Sequence, residues 1–316
     1  GTDALLIPLM AKNIGPGDAV FTTSFSFFAT AEVISLCGAT PIFVDIDKST
    51  FNINPELLKL KIKKILNDGA LRPKCVIPVN LFGLLSNYNE INQICEKFNL
   101  FIIEDAAQSF GSSYKNKFSC SFGDVGATSF YPAKPLGCYG DGGAIFTNDS
   151  KLYNTMKSIR VHGEGIDKYD NERIGLNSRL DTLQAAVLLE KLKIFNEELE
   201  KRNNVAELYI NALKDKYELQ LVPESNISSW AQFSILAKNK EHREKIISTL
   251  NKSSIPTAIY YKKPLHLQTA FKYLNYNKGD CPISELISDC IFSIPMHPYL
   301  EKNDISKIIN ILLDEA

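Results

Sequence analysis

The chain has 316 residues, of which 45% are hydrophobic and 22% are charged, a composition typical of a globular protein with one large or two modest domains. Lysine and arginine total 35 against 36 for aspartate and glutamate, so the net charge is −1 and leaves no basic excess for nucleic-acid phosphates. No uninterrupted apolar run approaches the roughly 18 residues needed to span a bilayer. We therefore expect neither nucleic acid nor a membrane as a partner.

Cysteine and histidine usage argues against disulfides and metals. The seven cysteines are scattered and no pair has C-x-x-C spacing, so neither a disulfide framework nor a zinc site is indicated. Reduced thiols in a cytoplasmic protein are the expectation. With four histidines and no H-E-x-x-H spacing, no catalytic metal is expected.

The amino-terminal segment gives two further indications. The apolar run LLIPLMA lacks a basic flank and a clear cleavage site, so it does not indicate a signal peptide. The first residue is glycine rather than methionine, which suggests that the chain begins partway into its natural domain.

The first two thirds of the chain predict alternating strands and helices. Apolar and β-branched runs predict strands over residues 19–24, 40–46, 74–80, 99–105, 125–130 and 143–148. Helical spacing between them predicts helices over FATAEVISL, PELLKLKIKKIL and NEINQICEKF. Strands that are apolar on both faces and separated by helices are typical of a mostly parallel sheet covered on both sides. We expect an α/β large domain over residues 1–200.

The remaining third predicts a different arrangement. Apolar side chains recur at helical spacing after Leu180 and predict one long helix, with an apolar face formed by Leu188, Leu192, Phe195 and Leu199. Beyond it, strands are predicted near residues 230–237 and 257–261, and helices around residues 241–250, 282–290 and 302–314. We expect these elements to form a smaller α+β domain over residues 201–316, joined to the first through the long helix.

Carboxylates that could carry chemistry first appear in the segment FIIEDAAQS, where a buried strand ends in Glu104 and Asp105. The carboxyl edge of an open α/β sheet is where ligands bind, which favours a functional Asp105. The alternative is a helix N-cap, because aspartate is a favoured cap and Ala-Ala-Gln follows it. Both interpretations stay open at this point.

The segment TSFYPAKPLGCYGDGGAIF places Lys134 in a loop rich in proline and glycine between two predicted strands. A lone loop lysine is usually solvated, but this one follows Ser129 and precedes four glycines, whose backbone can approach a flat ligand closely. A Schiff-base lysine needs a strand-end position, shielding from water and a nearby carboxylate that keeps a cofactor ring protonated. Lys134 and Asp105 supply those groups at the ends of two strands.

Three motifs together carry a specific resemblance. E-D-A-A-Q-S, S-F-Y-P-A-K with the trailing G-D-G-G, and G-L-N-S-R-L-D-T-L-Q-A-A resemble the DegT/StrS-type family of sugar aminotransferases, which are fold-type I enzymes that use pyridoxal 5'-phosphate (PLP). Matches run in the expected order from G-T-D-A-L at residues 1–5 to P-M-H-P at residues 295–298. The resemblance covers essentially the whole chain and implies PLP as the cofactor.

The resemblance implies catalytic roles for two residues and ring contacts for two more. Lys134 would bind PLP as a Schiff base and then move a proton between cofactor and substrate. Asp105 would pair with the pyridine nitrogen, and Gln108 would contact the phenolic oxygen of the ring. Phe27 would stack on the ring face, with core packing as its alternative.

The cofactor phosphate needs hydrogen-bond donors. Gly1 and Thr2 precede a helical run and form a natural anion cradle of free N–H groups, to which Ser129 would add a hydroxyl. By the same resemblance, Asn177 would reach the phosphate of a partner subunit in a homodimer, with a cap or turn role as the alternative. Arg179 would be structural or would meet an anionic part of the substrate.

Two further residues resemble substrate contacts. His266 lies in PLHLQ, a segment similar to a substrate-contacting loop in members that act on acidic nucleotide sugars, and Tyr261 lies nearby. His162 and His297 also match family positions, although a structural role is the expectation for both. Where the family usually has Tyr-Pro, this chain has Tyr261-Lys262, which leaves the substrate identity open.

The resemblance implies a transaminase with two half-reactions. An amino-acid donor, glutamate by expectation, would load the cofactor, which would then aminate carbon 3 of a UDP-linked 2-acetamido-3-keto-hexuronic acid in cell-surface polysaccharide (O-antigen) biosynthesis. A 4-keto-6-deoxy nucleotide sugar is the alternative substrate. A sugar dehydratase would carry histidine in place of Lys134, and a non-catalytic regulator would have no need of Lys134 or Asp105.

Overall fold

Three β-sheets organise the molecule in the computed structural model, which describes residues 1–167 and 169–316. The strands are β1 (Asp18–Thr23), β2 (Thr40–Val44), β3 (Arg72–Ile77), β4 (Phe101–Asp105), β5 (Ser113–Tyr114), β6 (Lys117–Phe118), β7 (Val125–Ser129), β8 (Gly143–Phe146), β9 (Glu218–Leu219), β10 (Asn226–Ile227), β11 (Phe233–Leu236) and β12 (Ile291–Ile294). The helices are α1 (Thr2–Ala11), α2 (Ala29–Leu36), α3 (Pro55–Asp68), α4 (Tyr88–Phe98), α5 (Ser150–Arg160), α6 (Thr182–Leu192), α7 (Phe195–Leu213), α8 (Lys240–Lys252), α9 (Pro282–Cys290) and α10 (Lys302–Asp314).

The largest sheet has six strands in the order β2-β1-β3-β4-β7-β8. The first five are parallel to their neighbours, and β8 pairs with β7 in antiparallel fashion. These six strands are the six that the sequence predicts, with ends shifted by a few residues. The α/β class with a mostly parallel sheet is therefore confirmed.

Both faces of this sheet are covered by helices, as strands that are apolar on both sides require. On β1, Phe21 packs in a cluster that includes Ile62 of α3, whereas its neighbour Val20 packs with Val33 of α2. Adjacent strand residues face opposite sides of a sheet, so the two clusters lie on its two faces. The carboxyl ends of the parallel strands meet at one edge of the sheet, which is where ligands of open α/β sheets bind.

Local sequence signals explain where the covering helices begin and end. The side chain of Asn54 accepts a hydrogen bond from Leu57 N at the start of α3, and Pro55 occupies the first helical position. Gly69, with φ of 68°, ends the helix in the left-handed conformation that glycine adopts most easily. The predicted helices over this part of the chain are confirmed.

The single long helix predicted after Leu180 is two helices, so that prediction is wrong. The chain leaves helical geometry after α6, where Ile194 has φ of −110° and ψ of 1°, and α7 then starts at Phe195. Phe195 is buried, and its ring centroid lies 5.6 Å from that of Phe110. Phe195 is therefore packed against residues of the large domain, and the second helix begins at this anchored residue.

The carboxyl-terminal part folds around its own apolar cluster, which includes Tyr209, Phe233, Ile246 and Phe292. An antiparallel sheet with the order β12-β11-β9 lies against α7, α8 and α10. The predicted helices here are confirmed, and the strand near residues 230–237 is β11. The strand predicted at residues 257–261 is wrong, because only Ala258 forms a β-bridge there. The division at residues 200 and 201 stays a prediction, and α7 runs across it.

The two parts meet at contacts that are built from both. Asp45, just after β2, accepts hydrogen bonds from the backbone N–H groups of Ile283 and Ser284 at the start of α9, at 2.8 and 2.9 Å. Elsewhere, a Cβ atom on Gly83, whose φ is +106°, would lie 2.6 Å from Ser229 Oγ. Glycine at that position therefore lets the segment around Ser229 approach the large sheet.

Within residues 1–167 and 169–316, no helix combines the length and apolar character needed to cross a membrane. The described residues also place no group of three or more His, Cys, Asp or Glu side chains where they could hold a metal ion. Neither finding bears on Lys168, which lies outside the described residues.

Candidate active site

Asp105 is the last residue of β4 and is 4% exposed. Its Oδ2 accepts a hydrogen bond from Thr30 Oγ1 at 2.8 Å, and its Oδ1 accepts one from Ala107 N at 3.1 Å. The residues after Asp105 form turns rather than a helix, so the helix N-cap interpretation is wrong. A buried carboxylate at the carboxyl edge of the sheet is left with acceptor capacity for a ligand.

Lys134 and Asp105 lie close enough for each to alter the pKa of the other. Burial raises the pKa of Asp105, and the hydrogen bonds from Thr30 and Ala107 and the charge of Lys134 oppose that rise. Burial lowers the pKa of Lys134, and the charge of Asp105 acts in the opposite direction. The structure therefore brings together the two residues that the sequence singles out, in surroundings that disfavour both charges.

The loop that carries Lys134 connects β7 to β8, as predicted. Its first and last parts are joined by a hydrogen bond from Phe130 N to Gly142 O at 2.9 Å, and Lys134 N donates to Tyr131 O at 2.9 Å. Because β7 and β8 are paired neighbours, the loop begins and ends at adjacent points of the sheet edge. This geometry presents Lys134 at the edge that also holds Asp105.

The start of α1 reaches the same edge. Gly1 is the N-cap of α1, and a Cβ atom placed on it would lie 2.8 Å from both Cβ and Oγ of Ser129. Only glycine allows this close approach between the helix and the end of β7. The first N–H groups of α1 and the hydroxyl of Ser129 thus converge, and a helix N-terminus of this kind stabilises an anion such as phosphate.

Gln108, Tyr261 and Phe27 form a third side of the site. Gln108 Oε1 accepts a hydrogen bond from Phe82 N at 2.6 Å, while its Nε2 donates to Tyr261 Oη at 3.2 Å. One N–H of the amide is left for another acceptor. Phe27 is 58% exposed, and its ring centroid lies 6.4 Å from that of Tyr261, so the core-packing alternative does not hold for Phe27.

Asn177 and Arg179 lie in the exposed segment before α6, where Arg179 Nε donates to Asn177 Oδ1 at 3.1 Å. Together with Gly1 and Thr2 of the same chain, they border a groove of about 610 Å³. The structure therefore places both residues beside the start of α1. The partner-subunit contact of Asn177 and the substrate contact of Arg179 stay predictions.

His266, which the sequence predicts to be a substrate contact, is buried and pairs with another side chain of the protein. It is 2% exposed, and its Nε2 lies 3.0 Å from Glu285 Oε1 on α9. Its Nδ1 is buried, and no partner for it exists among residues 1–167 and 169–316. The predicted substrate contact of His266 stays a prediction, and the contact that the structure gives is with Glu285.

Two residues of the site were missed by the sequence analysis, Ser26 and Thr30. Thr30 donates to Asp105, and Ser26 Oγ lies 3.3 Å from Thr30 Oγ1. Their signal was present, because the two hydroxyls stand four residues apart on either side of Phe27, a spacing that brings side chains together at the start of a helix.

A comparison with protein-family models decides the family. Residues 1–313 match the model described as DegT/DnrJ/EryC1/StrS aminotransferase family. The chain belongs to this family. Its members use PLP, and the DegT/DnrJ/EryC1/StrS chain described here is a PLP-dependent aminotransferase.

Three individual proteins illustrate the similarity of this DegT/DnrJ/EryC1/StrS chain. It is 46% identical over 310 residues to UDP-2-acetamido-2-deoxy-3-oxo-D-glucuronate aminotransferase of Pseudomonas aeruginosa, covering 98% of this chain and 82% of the other. It is 38% identical over 303 residues to the pleiotropic regulatory protein of Geobacillus stearothermophilus, covering 96% and 79%. It matches the crystal structure of a family aminotransferase from Brucella abortus with a TM-score of 0.96 and 53% identity, covering 99% and 83%.

The donor set of this DegT/DnrJ/EryC1/StrS site fits PLP group by group. The start of α1 and Ser129 would supply donors for the phosphate, and the Lys134 amine would be the nucleophile for the aldehyde carbon. Asp105 would accept from a protonated ring nitrogen, and the N–H that Gln108 leaves unused would donate to a ring oxygen. The close approach of Gly1 to Ser129 makes a cradle that a Cβ atom would fill.

Proposed function

We propose that this chain transfers an amino group from an amino acid to a keto carbon of a sugar attached to a nucleotide. The single observation that carries the proposal is the Lys134 amine, whose pKa is lowered by burial, at the same sheet edge as the buried carboxylate of Asp105 and the start of α1. The family and the Pseudomonas aeruginosa relative support the class of reaction.

The side chains divide the work of such a transfer. When bound, PLP supplies an electron-accepting ring and carries the amino group between the two substrates. Lys134 would hold the cofactor covalently and then move a proton at Nζ. Because burial lowers its pKa, more of the amine is neutral near pH 7 than in an exposed lysine, which suits a nucleophile and a base.

Asp105 and Gln108 would orient and tune the ring. The carboxylate of Asp105 would accept the ring N–H and keep the ring positively charged. Gln108 is held at its carbonyl end by Phe82 N, so its remaining N–H has a fixed direction. Phe27 and Tyr261 are joined to the same cluster and would cover the ring and exclude water.

For the substrate, we propose UDP-2-acetamido-3-keto-hexuronate aminated at carbon 3, with glutamate as the donor. The 46% identical relative from Pseudomonas aeruginosa, named for a 3-oxo-glucuronate substrate, supports this choice. Arg179, exposed beside the groove at Gly1 and Thr2, would supply a positive charge for an anionic group. Tyr261 and His266 would be the further substrate residues. A cytoplasmic role in polysaccharide biosynthesis follows as part of the same proposal.

A visible spectrum tests the cofactor and a coupled assay tests the transfer. Purified protein with PLP should develop a band that borohydride fixes to the peptide containing Lys134. Glutamate should then bleach the band, and the 3-keto hexuronate should restore it with formation of an amino sugar detected by mass spectrometry. A 4-keto-6-deoxy nucleotide sugar is the matched comparison substrate, and faster turnover with it would overturn the hexuronate assignment.

The same assay separates an enzyme from a regulator. Fixation of PLP on a different lysine would remove the role proposed for Lys134. A normal cofactor band that no amino donor bleaches would favour a non-catalytic regulatory role; the relative from Geobacillus stearothermophilus is named as a regulatory protein.

We further propose a homodimer with shared active sites. Helix α6 buries one of its side chains, Leu188, whereas Leu183 and Leu189 are 80% and 63% exposed. On the adjacent loop, Tyr139 is 75% exposed, and its backbone N–H donates to Gln184 of α6. Large apolar side chains exposed together are typical of an interface, and twofold dimers are the commonest soluble oligomers.

Complementation between two inactive variants tests the shared site. Lys134→Ala is mixed with a variant that has both Asn177→Ala and Arg179→Ala, after each is shown to be folded and subunit exchange is allowed. If the Asn177 segment acts on the partner's site, one of the two sites in each mixed dimer regains both intact halves and activity returns. No recovery, or a monomer with full activity, would overturn the proposal.

A further inference from the structure

The orientation of Asp105 is set by hydrogen bonds at both of its carboxylate oxygens. Among the described residues, Thr30 Oγ1 donates to Oδ2 at 2.8 Å and Ala107 N donates to Oδ1 at 3.1 Å. Thr30 is 1% exposed and Asp105 is 4% exposed, so bulk water does not compete for these contacts. A carboxylate held at both oxygens keeps its remaining lone pairs in fixed directions.

A second hydroxyl supports the first. Ser26 is buried, and its Oγ lies 3.3 Å from Thr30 Oγ1. An ionised carboxylate cannot donate, so the hydrogen of Thr30 points to Asp105 and Ser26 is the donor in its contact with Thr30. The result is a directed chain from Ser26 through Thr30 to Asp105, and hydrogen bonds in such a buried chain polarise and strengthen one another.

We propose that Thr30, supported by Ser26, is a positioning residue that keeps the Asp105 carboxylate ionised and aimed at the ring nitrogen of PLP. This inference rests on the proposed transamination and deepens it, because it assigns the residue that controls how well Asp105 serves the ring. Thr30 lies in the first turn of α2, and Phe27 stands just before the N-cap residue of that helix, Phe28. The same short segment therefore carries the aromatic side chain beside the ring and the hydroxyl behind the anion.

The alternative is that Thr30 only contributes packing and stability. The charge environment argues for more than that, because burial raises the pKa of Asp105 and the Thr30 hydrogen bond is the largest of the effects that oppose the rise. Without this donor, the proton shared between ring nitrogen and carboxylate would move toward Asp105. A ring that loses its proton accepts electrons less well, so both half-reactions would slow together.

The test uses Thr30→Val, which keeps the branched shape and removes the hydroxyl. We expect the limiting rates of both half-reactions to fall roughly 10-fold to 100-fold, the range for one hydrogen bond to a charged group. The apparent dissociation constant of the amino donor should stay within about twofold, since the proposal has Thr30 act through Asp105 and not through a contact with either substrate. The dissociation constant of PLP, from titration of the apoprotein at the visible band, should rise several-fold.

Two further variants separate positioning from stability. Thr30→Ser restores the hydroxyl and should return both the PLP affinity and the rates to within about threefold of wild type. Thr22→Val is the matched control, because Thr22 is 0% exposed and its Oγ1 donates to Ile77 O at 2.8 Å within the sheet. It should lower the melting temperature while leaving PLP affinity unchanged. Ser26→Ala should have the effect of Thr30→Val in weaker form.

The outcomes are separable from those of the proposed function. If no keto sugar is aminated by the wild-type protein, the proposed function fails, while the PLP titrations of the Thr30 and Thr22 variants still judge the inference. Wild-type PLP affinity and rates in a folded Thr30→Val would overturn it. Should Thr30→Val fail to fold, a Thr30→Ser variant with the same loss of affinity as Asp105→Asn would overturn it as well, since serine keeps the donor.

Discussion

The two carboxylates that end β4 are neighbours in sequence and opposites in their surroundings. Both are buried, Glu104 at 0% and Asp105 at 4% exposed, and burial raises the pKa of each. Glu104 accepts four hydrogen bonds from other parts of the chain, with the donors Asn80 Nδ2, Ser119 Oγ, Cys120 N and Phe122 N. Asp105 accepts two, from Thr30 and Ala107.

The contrast shows how a structural carboxylate differs from one that awaits a ligand. Adjacent residues of a strand face opposite sides of the sheet, so the two side chains lie in separate environments. Glu104 ties the segment after β6 to β4, because its Oε1 accepts three hydrogen bonds and its Oε2 accepts one, all from protein donors. Asp105 keeps unused acceptor capacity and faces a lysine. Burial alone does not separate the two; the number and source of the donors does.

The largest loss of activity is expected from changing Lys134, the residue that lies beside Asp105. Lys134→Ala should lower the transamination rate on the order of 10⁴-fold, the upper end of what loss of a proton-transfer group costs. The measurement is turnover with the accepted donor and keto sugar, and borohydride should fix no cofactor. Among the described residues Lys134 forms no salt bridge, so the melting temperature should change little. Retained fixation would show that another lysine binds the cofactor.

Asp105→Asn should give the next largest loss, on the order of 10² in both half-reactions, because the ring nitrogen loses the anion that keeps it protonated. Single-turnover absorbance changes with donor and with keto sugar measure the two halves separately. The matched variant is Glu104→Gln, which makes the same chemical change one residue away. Rates within a few-fold of wild type in Asp105→Asn would mean that Asp105, like Glu104, has only a structural role.

Glu104→Gln should act on stability instead. In the glutamine side chain an NH₂ group would face the N–H of Phe122, which now donates to Oε2 at 2.8 Å. An unsatisfied buried donor of this kind costs about 2 kcal/mol of unfolding free energy. Chemical denaturation monitors that loss, and PLP affinity should be retained. A Glu104→Gln protein as stable as wild type but unable to bind PLP would reverse the assignment.

The smallest effect is a shift in pH dependence. Burial lowers the pKa of Lys134, so covalent capture of PLP by the apoprotein should rise with pH and level off below the pH that an exposed lysine needs, about 10.4. The Asp105 charge stabilises the ammonium form, and removing it in Asp105→Asn should therefore lower the pKa further. The capture profile of Glu104→Gln should overlay that of wild type. An upward shift in Asp105→Asn would contradict the proximity of the two groups.

Strands and the main chemical groups were readable from the sequence because they depend on local patterns. The six strands of the large sheet are apolar runs between turn residues, and a strand end followed by a carboxylate locates Asp105. Tertiary packing decided the exceptions. The helical repeat after Leu180 continues through Ile194, yet Phe195 packs against Phe110 and the helix restarts there. The apolar run at residues 257–261 finds one bridging partner, Ser293, in place of a strand.

Within the site, the residues that were missed act through other side chains. Ser26 and Thr30 have ordinary hydroxyl groups that no motif singles out. The role of Thr30 depends on its contact with Asp105, which lies 75 positions away in the sequence. The pairing of His266 with Glu285 likewise joins segments that a linear pattern does not relate. Sequence patterns identify groups that would touch a ligand and are silent about the groups that hold them in place.

One contact between the two parts of the molecule bears on modularity. The N-cap residue of α9, Cys281, makes no capping hydrogen bond with its side chain, and Asp45 from the end of β2 accepts from Ile283 N and Ser284 N instead. The helix thus borrows its cap from the other part of the chain. A chimaera that exchanges the carboxyl-terminal part with that of a relative must therefore retain an acceptor at position 45. A substitution of Asp45 in one part of the chain would leave the start of α9 in the other part without its cap.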